Sequence, residues 1–331
     1  MGDTQRILYR FERGGFSRSI LQDDMPIRRD PHTSPVVTNA LLYPATPILS
    51  GKEYERRFPG GGEKGLSGRY PFLFSIPHGG VSVPPEVRGF VSLSRKDIAF
   101  NSDPHTRLLY GFDDVAEALV DFEVSRVFVD ANRAPYEYPP RAQDGVVKMI
   151  TQDGTPVYRK GFAPGRELIG VLLQRYYFPF HNRLADLIDA HPIEVAFDCH
   201  SMLPHAPQTR MDAGRPRPLF CLSNRGDTTG QPLRKGGLVT CPPEWLSALA
   251  RSFQAEFDGE GRVAMNDPFR GGFISIAHHR RTQTPWIQIE VNRDLYGTGD
   301  PAAHQVDETQ VDEVRGRIFS AIAGFWEEVS G

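Results

Sequence analysis

Four polar clusters in this chain carry residues able to do chemistry: Pro77-His78-Gly79-Gly80, Asp130-Ala131-Asn132-Arg133, Asp198-Cys199-His200-Ser201, and Glu290 inside the run Trp286-Ile287-Gln288-Ile289-Glu290-Val291. Two histidines from separate segments plus one carboxylate form the ligand set of a catalytic zinc site that keeps its fourth position open. His78 and His200 are the candidate imidazoles. The third ligand is sought in Asn101-Ser102-Asp103-Pro104-His105: Asp103 is the choice, because two histidines with one carboxylate suit hydrolysis, and His105 is the alternative. A metal-bound histidine usually gives its other ring proton to a carboxylate or carbonyl, and Asp198 can fill that part for His200. Each residue also has a plain structural reading. His78 suits a tight turn, His200 a satisfied place in the core, and Asp103 the N-cap of a following helix.

Glu290 is the single acid in an otherwise apolar run. Burial makes a carboxylate costly and raises its pKa, which suits a general base for a hydrolytic water. The plain alternative is an internal ion pair with Arg293 or another arginine. Arg133 carries a permanent charge on a planar fork that matches a carboxylate, so with Asn132 it is a candidate substrate grip. An ion pair for Arg133 and a turn cap for Asn132 are the competing readings.

Positioning these groups requires strands that end together. Phe72 to Ile76 is an apolar run of strand length, stopped by Pro77 and the glycine pair. Residues 103–121 show helical spacing through Leu108, Leu109, Phe112, Val115, Ala116 and Leu119. Val124 to Val129 reads as the next strand, 166–190 as a helix kinked at Pro179, and Ile193 to Phe197 as a third strand. Trp245 to Phe257 is helical, Trp286 to Val291 is a strand, and 309–327 is a closing amphipathic helix. Alternating strands and helices predict an α/β fold with a mixed, mainly parallel sheet flanked by helices. Such sheets bind ligands beyond the carboxyl ends of their strands, which is where the polar clusters fall.

The length of 331 residues would suggest two domains at about 150 residues each, a soft guide that a single α/β hydrolase domain often exceeds. Residues 1–69 read differently, with scattered prolines and the turn-forming Pro59-Gly60-Gly61-Gly62, and are expected to be a partly ordered N-terminal extension to a body at 70–331. A net charge of −3, with Lys and Arg scattered, leaves no footprint for nucleic acid. No apolar run approaches the roughly 20 residues that span a bilayer. The charged start of the chain lacks the apolar core of a secretory signal. Cys199, Cys221 and Cys241 are odd in number with no CxxC spacing, which predicts a reducing, cytoplasmic setting.

Taken in order, SIPHGG at 75–80, DPHTRLLY at 103–110, VDANRAPYEYP at 129–139, PVY at 156–158, FPFHNRL at 178–184, FDCHSM at 197–202, FRGGFIS at 269–275 and QIEVNRDLY at 288–296 resemble the N-formylglutamate amidohydrolase (N-formylglutamate deformylase) family. The resemblance runs from about residue 70 to 296. It implies a zinc-carboxypeptidase-like (phosphorylase/hydrolase-like) fold and an enzyme of amino-acid catabolism. The implied reaction is zinc-dependent hydrolysis of the amide of a small N-acyl amino acid, N-formyl-L-glutamate to L-glutamate and formate. It further implies zinc on His78 and His200, a carboxylate grip by Asn132 and Arg133, and Glu290 as the base. Arg270, in the FRGGF loop, is the candidate for a second substrate carboxylate. The chain departs from the zinc-peptidase HxxE spacing, since Val81 stands three residues after His78, and this turns attention to Asp103. Other readings are a related zinc peptidase or acyl-amino-acid hydrolase, or a carboxylate-binding protein without turnover. A serine hydrolase on Ser201 lacks the GxSxG elbow.

Overall fold

A computed structural model describes residues 69–209, 211–297 and 306–331. The extension expected over 1–69 therefore lies outside the described residues, apart from Arg69. The first strand, β1 (Tyr70–Ile76), carries the apolar run seen in the sequence. It is followed by α1 (Arg95–Phe100), held by a Ser94/Asp97 capping box, the short α2 (Thr106–Leu109), and β2 (Ala116–Asp121). Next come α3 (Arg166–Leu172), a π-helical turn (Leu173–Tyr177), α4 (Phe178–Ala190), and β3 (Val195–Met202). The remaining elements are β4 (Phe220–Ser223), α5 (Pro243–Glu256), β5 (Val263–Met265), α6 (Phe273–Thr282), β6 (Trp286–Asn292) and α7 (Glu308–Ser330).

The six strands form one sheet in the order β2-β1-β3-β6-β4-β5. All neighbours run parallel except β4 against β6. This is the mixed, mainly parallel α/β fold that the sequence predicted. One face packs Phe72, Phe74, Phe197, Ile287 and Ile289 against α5 and α7 through Leu249, Phe253, Ile318 and Phe325. The other begins with Leu73, Ala196 and Trp286, covered by Ile169, Leu172 and Leu184 from the α3–α4 segment. With both faces covered, the central strands are apolar on both sides at their start. Side chains alternate along a strand, so Ser75, Asp198, His200, Gln288 and Glu290 continue the second face toward the carboxyl ends. There the face turns from apolar to polar, and the site is built.

Several expectations need correction. The segment 103–121 is not one helix: α2 is four residues long, and Ala116–Asp121 is an edge strand paired with β1. Its burial alternates strictly, with Ala116, Ala118 and Val120 inward, a period of two that the helical reading overlooked. Val124 to Val129 is not a strand either. After a single bridge between Ser82 and Val124 the chain turns, with Phe128 N donating to Ser125 O at 2.9 Å. Its valines are buried by tertiary packing. In the 166–190 segment the irregularity is the π-helical turn preceding Pro179, which sits in the first turn of α4. The third strand runs past Phe197 to Met202, so His200 lies inside it. Strands β4 and β5 and helix α6 were not anticipated. Among the described residues, no helix is long and apolar enough to cross a membrane.

Candidate active site

His78 follows β1, Asp103 precedes α2, and His200 sits in β3; their relative exposures are 2%, 3% and 2%. Among the described residues, these three form a group that could hold a metal ion. The two Nδ1 atoms are 3.0 Å apart, and Asp103 Oδ2 lies 3.3 Å from His200 Nδ1 and 3.5 Å from His78 Nδ1. Donor atoms held about 2.0–2.1 Å from a tetrahedral zinc stand roughly 3.3–3.4 Å apart. The triangle fits such an ion. Asp103 is oriented by Arg293, whose Nη2 donates to Oδ1 at 3.0 Å, and by its own backbone N–H to the His78 carbonyl at 2.8 Å. Its carboxylate does not cap α2, which starts from His105 with φ of 70° and no side-chain cap. His105, the alternative ligand, is half-buried and stands outside the triangle.

The outer nitrogens explain why the inner ones need a cation. His78 Nε2 is 2.7 Å from Asp130 Oδ1, and His200 Nε2 is 3.1 Å from Asp198 Oδ2. A carboxylate accepts only, so each Nε2 carries a proton, and with Nδ1 unprotonated each ring presents a lone pair inward. Two lone pairs and a carboxylate oxygen then face one another in a buried space, an arrangement stabilised by a positive charge between them. Consistent with this, burial pushes the His200 imidazole down, but Asp198 and Asp103 outweigh it and raise its pKa well above the ordinary value. Burial likewise favours the neutral Asp103 acid, yet His200 and His78 hold it well below the carboxylate range. For Asp130 the burial effect is overcome by Arg126, Lys148 and His78.

Glu290 is aligned with His200 on the neighbouring parallel strand, on the same face. Burial pushes its pKa up to about 8, against the pull of His200. Its carboxylate accepts from Gln288 Nε2 at 2.9 Å. Arg293, weighed as its ion-pair partner in the sequence, binds Asp103 and Ser201 instead. A cavity of about 250 Å³ is lined by His78, Asp103, His200 and Glu290 together with Asn132, Arg133, Arg217 and Arg270.

Asn132 and Arg133 reach this cavity from a loop, which a side chain of the π-helical turn secures: Tyr177 OH donates to Arg133 O at 2.8 Å. Asn132 Oδ1 accepts from Ile274 N at 2.9 Å, and its Nδ2 donates to Asp198 Oδ2 at 2.8 Å. The same Nδ2 stands 3.0 Å from His200 Nε2, so Asn132 braces the Asp198–His200 pair. Arg133 gives Nη2 to Asp144 at 3.0 Å, has its Nε 3.9 Å from Asp130 Oδ2, and keeps a third of its side chain exposed where it lines the cavity. Arg270 is exposed at the rim, with no hydrogen bond or ion pair to another described residue. Sequence reasoning assigned no role to Asp130, although it opens the DANR cluster, or to Arg126, Lys148 and Gln288, and it paired Arg293 with Glu290 rather than Asp103. Asp130 meets His78 from 52 residues away and Arg293 meets Asp103 from 190, whereas Arg126, Lys148 and Gln288 each have a partner within four residues.

The glycines serve packing more than ligand approach. A Cβ on Gly80 would lie 2.1 Å from the Glu123 carbonyl oxygen, and one on Gly272 only 2.2 Å from Asn132 Oδ1. Gly272→Ala should therefore dislodge Asn132 from Asp198 and lower metal affinity or activity about 10–100-fold, as loss of a ligand's outer partner does. Metal titration and initial rates check this; wild-type values in both would show that Asn132 does not support His200.

The family model for N-formylglutamate amidohydrolase matches residues 70–297. The chain is 30% identical to an N-formylglutamate deformylase of Pseudomonas aeruginosa over 238 residues, 69% of this chain and 83% of that one. A deformylase of the same name from Pseudomonas putida is 29% identical over 216 residues, 63% of this chain and 74% of that one. Among solved structures, the N-formylglutamate amidohydrolase of Ralstonia eutropha JMP134 superposes with a TM-score of 0.63 at 20% identity, covering 80% of this chain and 96% of that one. A gene product of Agrobacterium tumefaciens gives a TM-score of 0.56 at 19% identity, covering 79% and 92%.

Proposed function

Because the chain belongs to the N-formylglutamate amidohydrolase family, we propose that it is a zinc-dependent hydrolase cleaving the amide of an N-acyl amino acid, with N-formyl-L-glutamate, giving L-glutamate and formate, as its substrate. The observation that carries this reading is the buried His78–Asp103–His200 triangle opening on the same cavity as Glu290. A zinc ion on His78 Nδ1, His200 Nδ1 and Asp103 would supply Lewis acidity and acidify a water toward neutral pH. Glu290, as general base, takes the proton of the attacking water and returns one to the departing amine nitrogen. Asp130 and Asp198 keep the outer imidazole protons in place, so that the ligand nitrogens stay aimed inward. In this reading residues 70–331 are the catalytic domain and 1–69 an extension to it. The three cysteines are free and buried, which suits a cytoplasmic enzyme.

The substrate carboxylates fall to the arginines. Arg133, which lines the cavity and holds Asp144, takes the α-carboxylate with Asn132, and Arg270, without a partner among the described residues, takes the side-chain carboxylate. Arg133→Ala should raise KM with little change in Tm, since its pair with Asp144 is solvent-exposed while loss of a desolvated contact to a substrate carboxylate costs about 2–5 kcal/mol. An unchanged KM would remove Arg133 from substrate binding. The function itself is tested by metal analysis of the purified chain alongside hydrolysis of a panel of N-formyl and N-acetyl amino acids. About one zinc per chain and preference for N-formyl-L-glutamate are expected. Stoichiometric carboxylate binding without turnover would replace the enzyme by a binding protein.

A further inference from the structure

Gln288 stands two residues before Glu290 on β6, on the same face, and is 4% exposed. Its Nε2 donates to Glu290 Oε1 at 2.9 Å, while its own Oε1 is buried with no partner. Among the described residues this is the one hydrogen bond that either side chain makes. The neighbours in register are turned elsewhere. Asp198, across β3, bonds Asn132 and His200; Ser223, across β4, gives its hydroxyl to Phe269 O at 2.7 Å.

A buried amide with one end unsatisfied is destabilising, and an apolar side chain of similar size would fill the space without that defect. Such a side chain would leave the buried Glu290 carboxylate without its hydrogen bond, and Gln288 lines the cavity beside it. We infer that Gln288 is the positioning residue for Glu290, holding its carboxylate in the one orientation that faces the cavity. This rests on the reading of Glu290 as the base. A lone carboxylate on a strand can rotate about its terminal torsion; a single anchored oxygen leaves the other directed at the reacting water. Displacement of a catalytic group by about 1 Å can cost on the order of 100-fold in rate, so a fixed donor on a rigid strand has a large effect for one bond.

The test uses the zinc-loaded full chain and N-formyl-L-glutamate, or whichever panel member it hydrolyses. Gln288→Leu removes the donor together with the unsatisfied carbonyl, and Gln288→Met is a second variant of the original length. Both should retain zinc, while kcat falls about tenfold or more and Tm falls somewhat, because the buried Glu290 carboxylate loses its hydrogen bond. A purely structural glutamine would lower kcat whether or not Glu290 is present. In a Glu290→Ala background, Gln288→Leu should lower kcat no further, since it acts only through Glu290. A fall that adds to that of Glu290→Ala, or a wild-type kcat in both single variants, overturns the inference while leaving Glu290 as the base. A wild-type kcat in Glu290→Ala alone defeats the reading of Glu290, and the inference with it.

Discussion

His200→Ala is expected to leave the purified protein without zinc and without measurable hydrolysis, and His78→Ala should do the same. Each removes one of three donor atoms that stand 3.0–3.5 Å apart in a buried triangle. Two remaining ligands do not make a catalytic zinc site, which draws on three protein donors. The rate loss should exceed the 10–100-fold that follows from disturbing an outer partner such as Asn132. The fold should persist, because Asp198 still accepts from Asn132 Nδ2 and from Ser75 Oγ. Metal content by elemental analysis, far-UV circular dichroism and initial rates on the same samples decide it. A folded His200→Ala protein that is fully loaded and active would sink the site assignment.

Glu290→Gln separates base from ligand. The substituted amide keeps the shape and can still accept from Gln288, but it has no basicity. Zinc should remain bound while kcat falls by about 10²–10⁴, the usual contribution of general acid–base catalysis. The pH dependence gives an independent check. Burial raises the Glu290 pKa to about 8, so below that pH the carboxyl favours its proton and cannot act as base. The wild-type kcat/KM should therefore rise with pH along an acid limb, displaced below 8 by a cation bound beside it. That limb should vanish in Glu290→Gln. Loss of zinc would instead make Glu290 a ligand, and Asp103 would have to be reconsidered.

Much of the scaffold was legible in the sequence because central parallel strands bury both faces. The runs at Phe72–Ile76 and Trp286–Val291 stand out for that reason, and β1 and β6 follow them closely. What misled was weaker periodicity. The edge strand Ala116–Asp121 alternates buried and half-buried residues over a stretch short enough to fit helical spacing too. The apolar Val124–Val129 segment looked like a strand because its valines are buried, yet its backbone turns. Burial fixes which residues are apolar without fixing the local conformation that buries them.

The sequence by itself determined the chemistry available: two histidines, a set of acids and a series of arginines attached to strands whose carboxyl ends gather in an α/β sheet. It also marked Glu290 as an acid in an apolar strand. Only the tertiary structure decided which of these groups meet. His78 and His200 are 122 residues apart in the chain, and Arg293 reaches Asp103 across 190. Asp130 takes the outer proton of His78 from 52 residues away, and Arg293 orients Asp103 while His105 stands outside the triangle. Side-chain types are a local property of the chain. Mutual distances of about 3 Å are set by strand register and by loops closing over a hundred residues or more, and no local pattern encodes them.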